Sequence, residues 1–217
     1  TTDAENISQW CLLNHMAANI TKTKVMLITT WQKRLSLPEH LRTLKVKMNG
    51  EYLENVITDK LLGVFINNNL SWECHIDSVV RRVNGKLALL RRIKGCLPLV
   101  SRKMFSNAHI LPHIDYCSTV WGSSAQSLYL AQKRVARAIL DVKGKAIRAP
   151  ENRTRTLLSK LGWLKVQDRV NFRKSIMVYK SVNNLSPQYM SDMFKTCAPK
   201  QSGKMCTRSA DKGDLVL

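Results

Sequence analysis

The stretch DKLLGVFINNNLSWECHIDSVVRRVNGKLALLRRIK, residues 59–94, decides the fold. Lys60 to Ile66 is a short apolar run with Gly63 inside it. Its composition reads as a strand, in which a glycine marks a bulge or a close approach by another backbone. Asn67, Asn68 and Asn69 form turns readily. Ser71 can cap a helix, and Glu73 and Asp77 suit the positive N-terminal end of one. Ile76, Val79, Val80, Val83, Leu87, Leu90 and Ile93 then recur at steps of three and four, one face of a helix. Arg81, Arg82 and Arg92 project away from that stripe. Taken alone, such a face is most simply a solvated one.

The charge of the whole chain shifts that balance. Lys and Arg number 35 against 15 Asp and Glu in 217 residues, a net charge of +20. Such an excess favours a polyanionic partner, of which nucleic acid is the commonest. An anionic membrane surface is the other choice. No apolar run approaches the roughly 20 residues of a spanning helix, however, and no stretch resembles a signal peptide. The chain is therefore expected inside the cell, in nucleus and cytoplasm, not secreted and not in a membrane. Cys11, Cys74, Cys96, Cys117, Cys197 and Cys206 include no Cys-x-x-Cys pair, so a zinc ribbon is not indicated. Scattered thiols fit a reducing compartment, with Cys11 and Cys96 expected in or near the core.

Working outward, residues 3–17 read as a helix with Ile7, Trp10, Cys11 and Asn14 on one side. Residues 19–29 pass from a turn into a strand at Val25 to Ile28. Leu44 to Met48 and Tyr52 to Ile57 read as strands about Asn49-Gly50, a two-residue hairpin signal. The first third is thus a helix on a small antiparallel sheet. Beyond residue 72 the pattern is helical to about residue 193. The first helix ends near Gly95. Residues 100–121 hold one or two helices, with Pro112 as a kink or boundary. Leu128, Val135, Ile139 and Val142 trace another helix, ending near Gly144. Residues 144–156 read as a basic loop, and Val166 to Val182 as the last clear helix. From Lys195 onward the polar, non-periodic sequence is expected to be disordered.

Several short stretches, in order, resemble the reverse transcriptases of non-LTR retrotransposons, the jockey-type, LINE-like elements. Trp10-x-x-x-Asn14 and Asn19-x-x-Lys22-Thr23 followed by Met26 are similar to the segment after that family's active-site strand. Leu62-Gly63-Val64 with Leu70-Ser71-Trp72 and His75-Ile76 resembles its primer-grip hairpin and the start of its thumb. Leu89-Leu90-Arg91-Arg92, Pro112-His113-Ile114-Asp115-Tyr116-Cys117 and Val120-Trp121-Gly122 resemble its thumb helices. Gln132 with Arg137 and Ile139, Leu161-Gly162-Trp163-Leu164 with Arg169, and Tyr179-Lys180 with Asn183-Asn184-Leu185 and Pro187 resemble the region C-terminal to that thumb. The ordered set, across residues 5–194, carries the resemblance; no single motif does.

The resemblance implies an α+β architecture. Residues 1–69 would be the end of the palm with its primer-grip hairpin, a small antiparallel sheet with a helix. Residues 70–194 would be an α-helical thumb and extension, and residues 195–217 a disordered basic tail. It implies a fragment of an RNA-directed DNA polymerase whose partners are RNA template, DNA primer and RNA–DNA duplex, together with the upstream palm and fingers of the same polyprotein. The family's catalytic Tyr-x-Asp-Asp is expected upstream of Thr1, since the chain holds no two adjacent Asp residues. Two-metal transfer needs carboxylates that clamp both ions. Mg²⁺ is therefore implied for the intact polymerase, with no cofactor or metal held by this fragment, and the isolated chain is expected not to polymerise.

Particular residues acquire roles only through that resemblance. Lys22 would lie near the leaving pyrophosphate as a general acid, since an ammonium neutralises developing charge and donates a proton. By itself it is a solvent-facing lysine, with Lys24 equally available. Leu62, Gly63 and Val64 would form the turn that holds the primer's 3′ end, glycine letting backbone approach closely. Arg81, Arg82, Lys86, Arg91 and Arg92 would contact duplex phosphates, which requires charge and reach but no base reading. Lys133, Arg134 and Arg137 would add a second basic surface, and Arg148, Arg153 and Arg155 a third or simply a charged loop.

The other candidates are plainer. His109, His113 and Cys117 fall four apart and could hold zinc on one helix, but Pro112 interrupts it and packing is the better expectation. Asp115 and His113 lack a nucleophile or oxyanion donor beside them, so they are not a hydrolytic pair. Trp10, Trp72, Trp121 and Trp163 are expected in the core, and Trp31 could stack on a base. Two alternatives to a polymerase fragment stay open: a non-catalytic basic nucleic-acid-binding module, and a decayed transposon relic.

Overall fold

The computed structural model describes residues 2–122, 126–143, 149–150, 153–196 and 215–216. Gly144, Arg148, Cys197, Cys206 and most of the expected tail lie outside them. The chain is mixed α and β, mostly helical, and divides into two compact units, Thr1–Ser78 and Val79–Leu217. Among the described residues no helix is long and apolar enough to cross a membrane.

The first unit opens with α1 (Thr2–Leu13), shorter than expected because the backbone turns left-handed at His15 (φ 56°). Asn14 closes the helix, its Nδ2 donating to the Trp10 carbonyl at 2.8 Å. The expected apolar side of α1 is not its buried side. Ile7 and Trp10 are each 58 % exposed, and the buried residue is Ser8. The Ser8 hydroxyl donates to the Asn49 side-chain oxygen, so a polar contact seats α1 on the hairpin at Asn49. A 3-10 turn over Ile20–Lys22, β1 (Lys24–Val25) and α2 (Trp31–Ser36) come next.

β2 (Lys47–Met48) and β3 (Glu51–Tyr52) pair antiparallel about Asn49-Gly50, as the dipeptide predicts. Both turn residues have positive φ, 53° and 83°, the requirement of a type I′ turn. The strands are shorter than expected. Residues 54–55 leave the hairpin as β4 (Glu54–Asn55), which pairs parallel with β1. The expected single antiparallel sheet is therefore a set of separate two-stranded pairs, one of them parallel.

The stretch around Gly63 departs from the strand that its composition suggests and forms a hairpin where the resemblance implied one. Residues 58–67 are not one bulged strand but a hairpin, β5 (Thr58–Leu61) and β6 (Val64–Asn67), turning at Leu62-Gly63. Leu62 (φ 47°) and Gly63 (φ 87°) supply the two positive φ values. The glycine signals the turn, whereas Leu62 masks it, because leucine rarely enters the left-handed region. Asn67 then organises the exit: its Oδ1 accepts from the Ser71 backbone N–H at 2.9 Å and its Nδ2 donates to the Ser71 hydroxyl at 2.6 Å. Ser71 thus closes a loop and does not cap the helix as expected. The buried His75 accepts the Phe65 N–H on Nδ1 at 3.3 Å, tying β6 to the start of α3 (Glu73–Ile93).

The unit boundary falls within α3. Its apolar stripe is buried as the periodicity predicts: Ile76, Val79, Val83, Leu87 and Leu90 are all nearly inaccessible, while Val80 and Ile93 are half-buried. In the second unit α4 (Leu99–His109) is followed by α5 (Leu111–Asp115), with Pro112 in its first turn, and α6 (Ser118–Trp121). Proline there lacks only an N–H that the helix would leave unpaired anyway. α7 (Gln126–Ile139) stops before Asp141 turns left-handed (φ 53°), earlier than expected. α8 (Thr154–Leu161) begins inside the expected basic loop, and α9 (Val166–Val182) runs as expected.

A short α10 (Gln188–Ser191) succeeds it. The strands β7 (Lys195–Thr196) and β8 (Leu215–Val216) pair antiparallel at the ends of the stretch expected to be disordered.

The second unit's core joins Val83, Leu87 and Leu90 to Ile110, Ile114, Trp121, Leu128, Val135, Ile139, Leu157, Leu161 and Val166. Two glycines have defined tasks. Gly162 (φ 66°) ends α8, donating to the Leu158 and Ser159 carbonyls, the usual left-handed helix terminator. Gly122 lies against Val170 on α9, where an added Cβ would come within 2.6 Å of a Val170 methyl.

Of the tryptophans, Trp121 and Trp163 are buried as expected. Trp72 is half-buried with φ 63°, Trp10 is exposed, and Trp31 is 68 % exposed. Cys11 is half-buried, and Cys96, expected near the core, is exposed.

Candidate nucleic-acid interface

α3 sets out the first group of cations. At about 100° per residue, Arg81 and Arg92 are eleven residues, close to three turns, apart. They share the side opposite the buried stripe. Arg81, Arg82, Arg91 and Arg92 are exposed and Lys86 is half-buried. None of these five has a carboxylate partner among the described residues.

The helix does not present them as one face. Arg82 and Lys86 lie toward His113, whose pKa is lowered first by burial and then by the positive charge of Arg82, Lys86 and His109. Arg91 lies on the other flank. There it lines a cavity of about 440 Å³ with Lys94, Arg134, Arg137, Ala138, Val142 and Lys143. Seven of the eight cations expected as two basic surfaces therefore separate into an outward pair, a pair near His113, and three around a cavity. Lys133, also on α7, is half-buried and does not line that cavity.

α7 is held in place by Gln132, only 1 % exposed. Its Nε2 donates to the Leu164 carbonyl at 2.8 Å, and its Oε1 accepts the Val166 N–H at 3.1 Å. One amide thus joins α7 to the segment linking α8 and α9. On the other side of that segment, Arg169 forms a two-pronged ion pair with Asp115, and Arg173 adds a contact at 2.9 Å. The Asp115 hydrogen bond raises the Arg169 pKa above its already high ordinary value. Asp115 is thus a structural anion between two arginines.

In the first unit, Lys22 is exposed at the end of its 3-10 turn, its backbone N–H accepted by the Asn19 side chain at 3.1 Å. Lys24 is 3.5 Å from Glu54. The two lysines that the sequence treats as equivalent therefore differ, one in an ion pair and the other in none among the described residues. Leu62 and Gly63 form the hairpin tip, with Leu62 82 % exposed, while Val64 is buried.

His109, His113 and Cys117 fall on the end of α4, on α5 and at a left-handed residue after it, not on one helical face. Among the described residues no three His, Cys, Asp or Glu side chains gather where they could hold a metal ion. Arg153 and Arg155 are exposed at the start of α8.

Sequence reasoning missed two features. One is the Arg91–Arg134–Arg137 cavity; paired basic residues three apart, Arg91 with Lys94 and Arg134 with Arg137, were its available signal. The other is an apolar cleft of about 510 Å³ between α9 and α10, lined in part by Ile176, Met177, Leu185 and Met190. The chain matches no protein-family model, no curated protein and no solved structure.

Proposed function

We propose that the chain grips nucleic acid through its phosphate backbone, as the part of a non-LTR retrotransposon-type RNA-directed DNA polymerase that holds primer and RNA–DNA duplex. The observation carrying this reading is α3. One side is packed to near inaccessibility while Arg81 and Arg92 stand opposite, exposed and without carboxylate partners among the described residues. A purely solvated helix face in a chain of mixed charge would intersperse acids with those cations. Here the exposed bases outnumber any acid that could neutralise them, in a chain of net charge +20. Arginine suits phosphate because its planar fork donates two parallel hydrogen bonds. The ordered motifs across residues 5–194 supply the particular family.

On this reading the hairpin tip at Leu62 and Gly63 supports the primer end, and Lys22 acts on the leaving pyrophosphate only where an upstream segment supplies the carboxylates. The chain alone binds without polymerising, within nucleus and cytoplasm. The test is fluorescence anisotropy of a labelled RNA–DNA hybrid titrated with the chain as salt is raised. Each phosphate contact contributes a log–log slope of roughly −0.7 to −0.9, so several contacts give a slope of several units. A slope near zero, or binding only to anionic vesicles, overturns the proposal. Nucleotide incorporation by the isolated chain with Mg²⁺ overturns its non-catalytic part.

A further inference from the structure

The basic residues around the 440 Å³ cavity do something that an extended phosphate-tracking face does not. They converge. Arg91 and Lys94 come from the last turn of α3 and the 3-10 turn after it, Arg134 and Arg137 from α7, and Lys143 from the chain beyond it. The carboxylate beside these five cations is Asp141, which pairs with Lys94 and, at 3.3 Å, with Lys143. Its pKa is lowered, chiefly by the Lys94 hydrogen bond. Asp141 thus occupies the two lysines and leaves the three arginines without a carboxylate among the described residues. Arg137 adds an independent sign: its Nε is buried and has no hydrogen-bond partner among the described residues. A buried donor left unpaired is unfavourable until an acceptor arrives.

We propose that this cavity is a binding site for a multiply charged phosphate group, the chemistry of a strand-terminal phosphate or of a free polyphosphate. A backbone phosphodiester carries one charge and lies along a surface, needing one cation each. Three uncommitted arginines and two partly committed lysines around one half-open cavity over-neutralise such a group. They match a group with two or more charges, which arginine forks engage bidentately. Asp141 holds the site in a resting state and is displaced from its lysines when the ligand enters. The site deepens the proposed nucleic-acid role but is separable from it, because that role requires only affinity for backbone.

The test compares two DNA 12-mers of one sequence, 5′-phosphorylated and 5′-hydroxyl, labelled at the 3′ end, with inorganic tripolyphosphate as competitor. The full chain is expected to prefer the phosphorylated strand by about tenfold at fixed salt, the scale of one added charge-assisted contact. Arg134→Gln should abolish the preference. Asp141→Asn frees both lysines and suits the left-handed backbone at that position, since asparagine tolerates it. It should tighten tripolyphosphate binding several-fold, a gain that misfolding cannot mimic. Displacement by tripolyphosphate without a strand-end preference assigns the site to free polyphosphate. Equal affinity for the two strands with no displacement by tripolyphosphate overturns the site, as does unchanged or weaker tripolyphosphate binding by Asp141→Asn. Loss of binding to both strands by the unaltered chain instead overturns the backbone-gripping reading.

Discussion

Replacing Gln132 with leucine should destabilise the second unit far more than a single exposed amide would. Gln132 is buried in α7 and uses both ends of its amide, one on the Leu164 carbonyl and one on the Val166 N–H. Val166 is 1 % exposed. Leucine keeps nearly the same volume, so a cavity is not the main effect. Leaving a buried partner unpaired costs about 1–3 kcal/mol. Val166 N–H takes that penalty in full, whereas the Leu164 carbonyl belongs to a half-exposed residue and regains water more readily. The expected loss is about 2–3 kcal/mol by that scale. For a chain of this size, 1 kcal/mol moves Tm by roughly 2–4 °C, so the drop should be about 5–10 °C. The assay is urea unfolding followed by circular dichroism, with a thermal scan beside it. Gln132→Glu separates the two bonds, because the carboxylate still accepts from Val166 but donates to Leu164 only when protonated. Its deficit should shrink as pH falls through the carboxylate range. A loss below about 0.5 kcal/mol for Gln132→Leu, the range of an ordinary surface change, would refute the clamp.

Three further perturbations read other parts of the fold. Leu62→Asn relieves a left-handed leucine at the hairpin tip and should stabilise the first unit by about 1 kcal/mol, measured as a shift in urea midpoint; destabilisation would show that the leucine side chain matters more than its backbone. Gly122→Ala drives a Cβ into Val170 and should cost about 1–3 kcal/mol by overpacking, while the double variant with Val170→Ala should recover much of it; a neutral single variant contradicts the close approach of α6 and α9. The pKa of His113 is lowered in the folded chain by burial and by neighbouring cations, so its unfolded form binds protons first. Its contribution is fully present above the unfolded value near 6.5 and is lost as pH falls from there through the lower folded value. Unfolding titrations from pH 8 to 5 should show a smaller decline for His113→Gln than for the unaltered chain, and equal declines would contradict the assignment.

The elements with strong periodicity were legible before the structure. The α3 stripe from Ile76 to Leu90, the limits of α9, the Asn49-Gly50 turn and the Pro112 boundary all follow from spacing and backbone preference. What failed did so for identifiable reasons. Composition alone hid the hairpin at Leu62, because one turn position carries a leucine, whose ordinary preference is against the left-handed region; only the resemblance implied a hairpin turn there. The helix α1 misled because its apolar side is exposed and a serine–asparagine contact seats it instead, a case where periodicity names a face without saying what covers it. The α8 segment began within a basic stretch whose charges obscured Leu157, Leu158 and Leu161.

At the candidate interface, residue types were legible and their grouping was not. Arg91 lies only ten residues from Arg81 yet faces the α7 arginines, a convergence that depends on how α3 and the turn after α7 pack. The split of Lys22 from Lys24 likewise required knowing that Glu54 lies beside one of them.

On the proposed reading, the outward side of α3, and not net charge in general, meets the phosphate backbone. The most direct measurement compares salt titrations of RNA–DNA hybrid binding for the unaltered chain, for Arg81→Glu with Arg92→Glu, and for Lys160→Glu with Lys165→Glu. Both double variants change charge equally at exposed positions. The α3 variant is predicted to flatten the log–log slope by roughly 1.4–1.8, two lost phosphate contacts, while the lysine variant leaves it nearly unchanged. Equal slopes for the two variants, or an α3 variant indistinguishable from the unaltered chain, would contradict the claim.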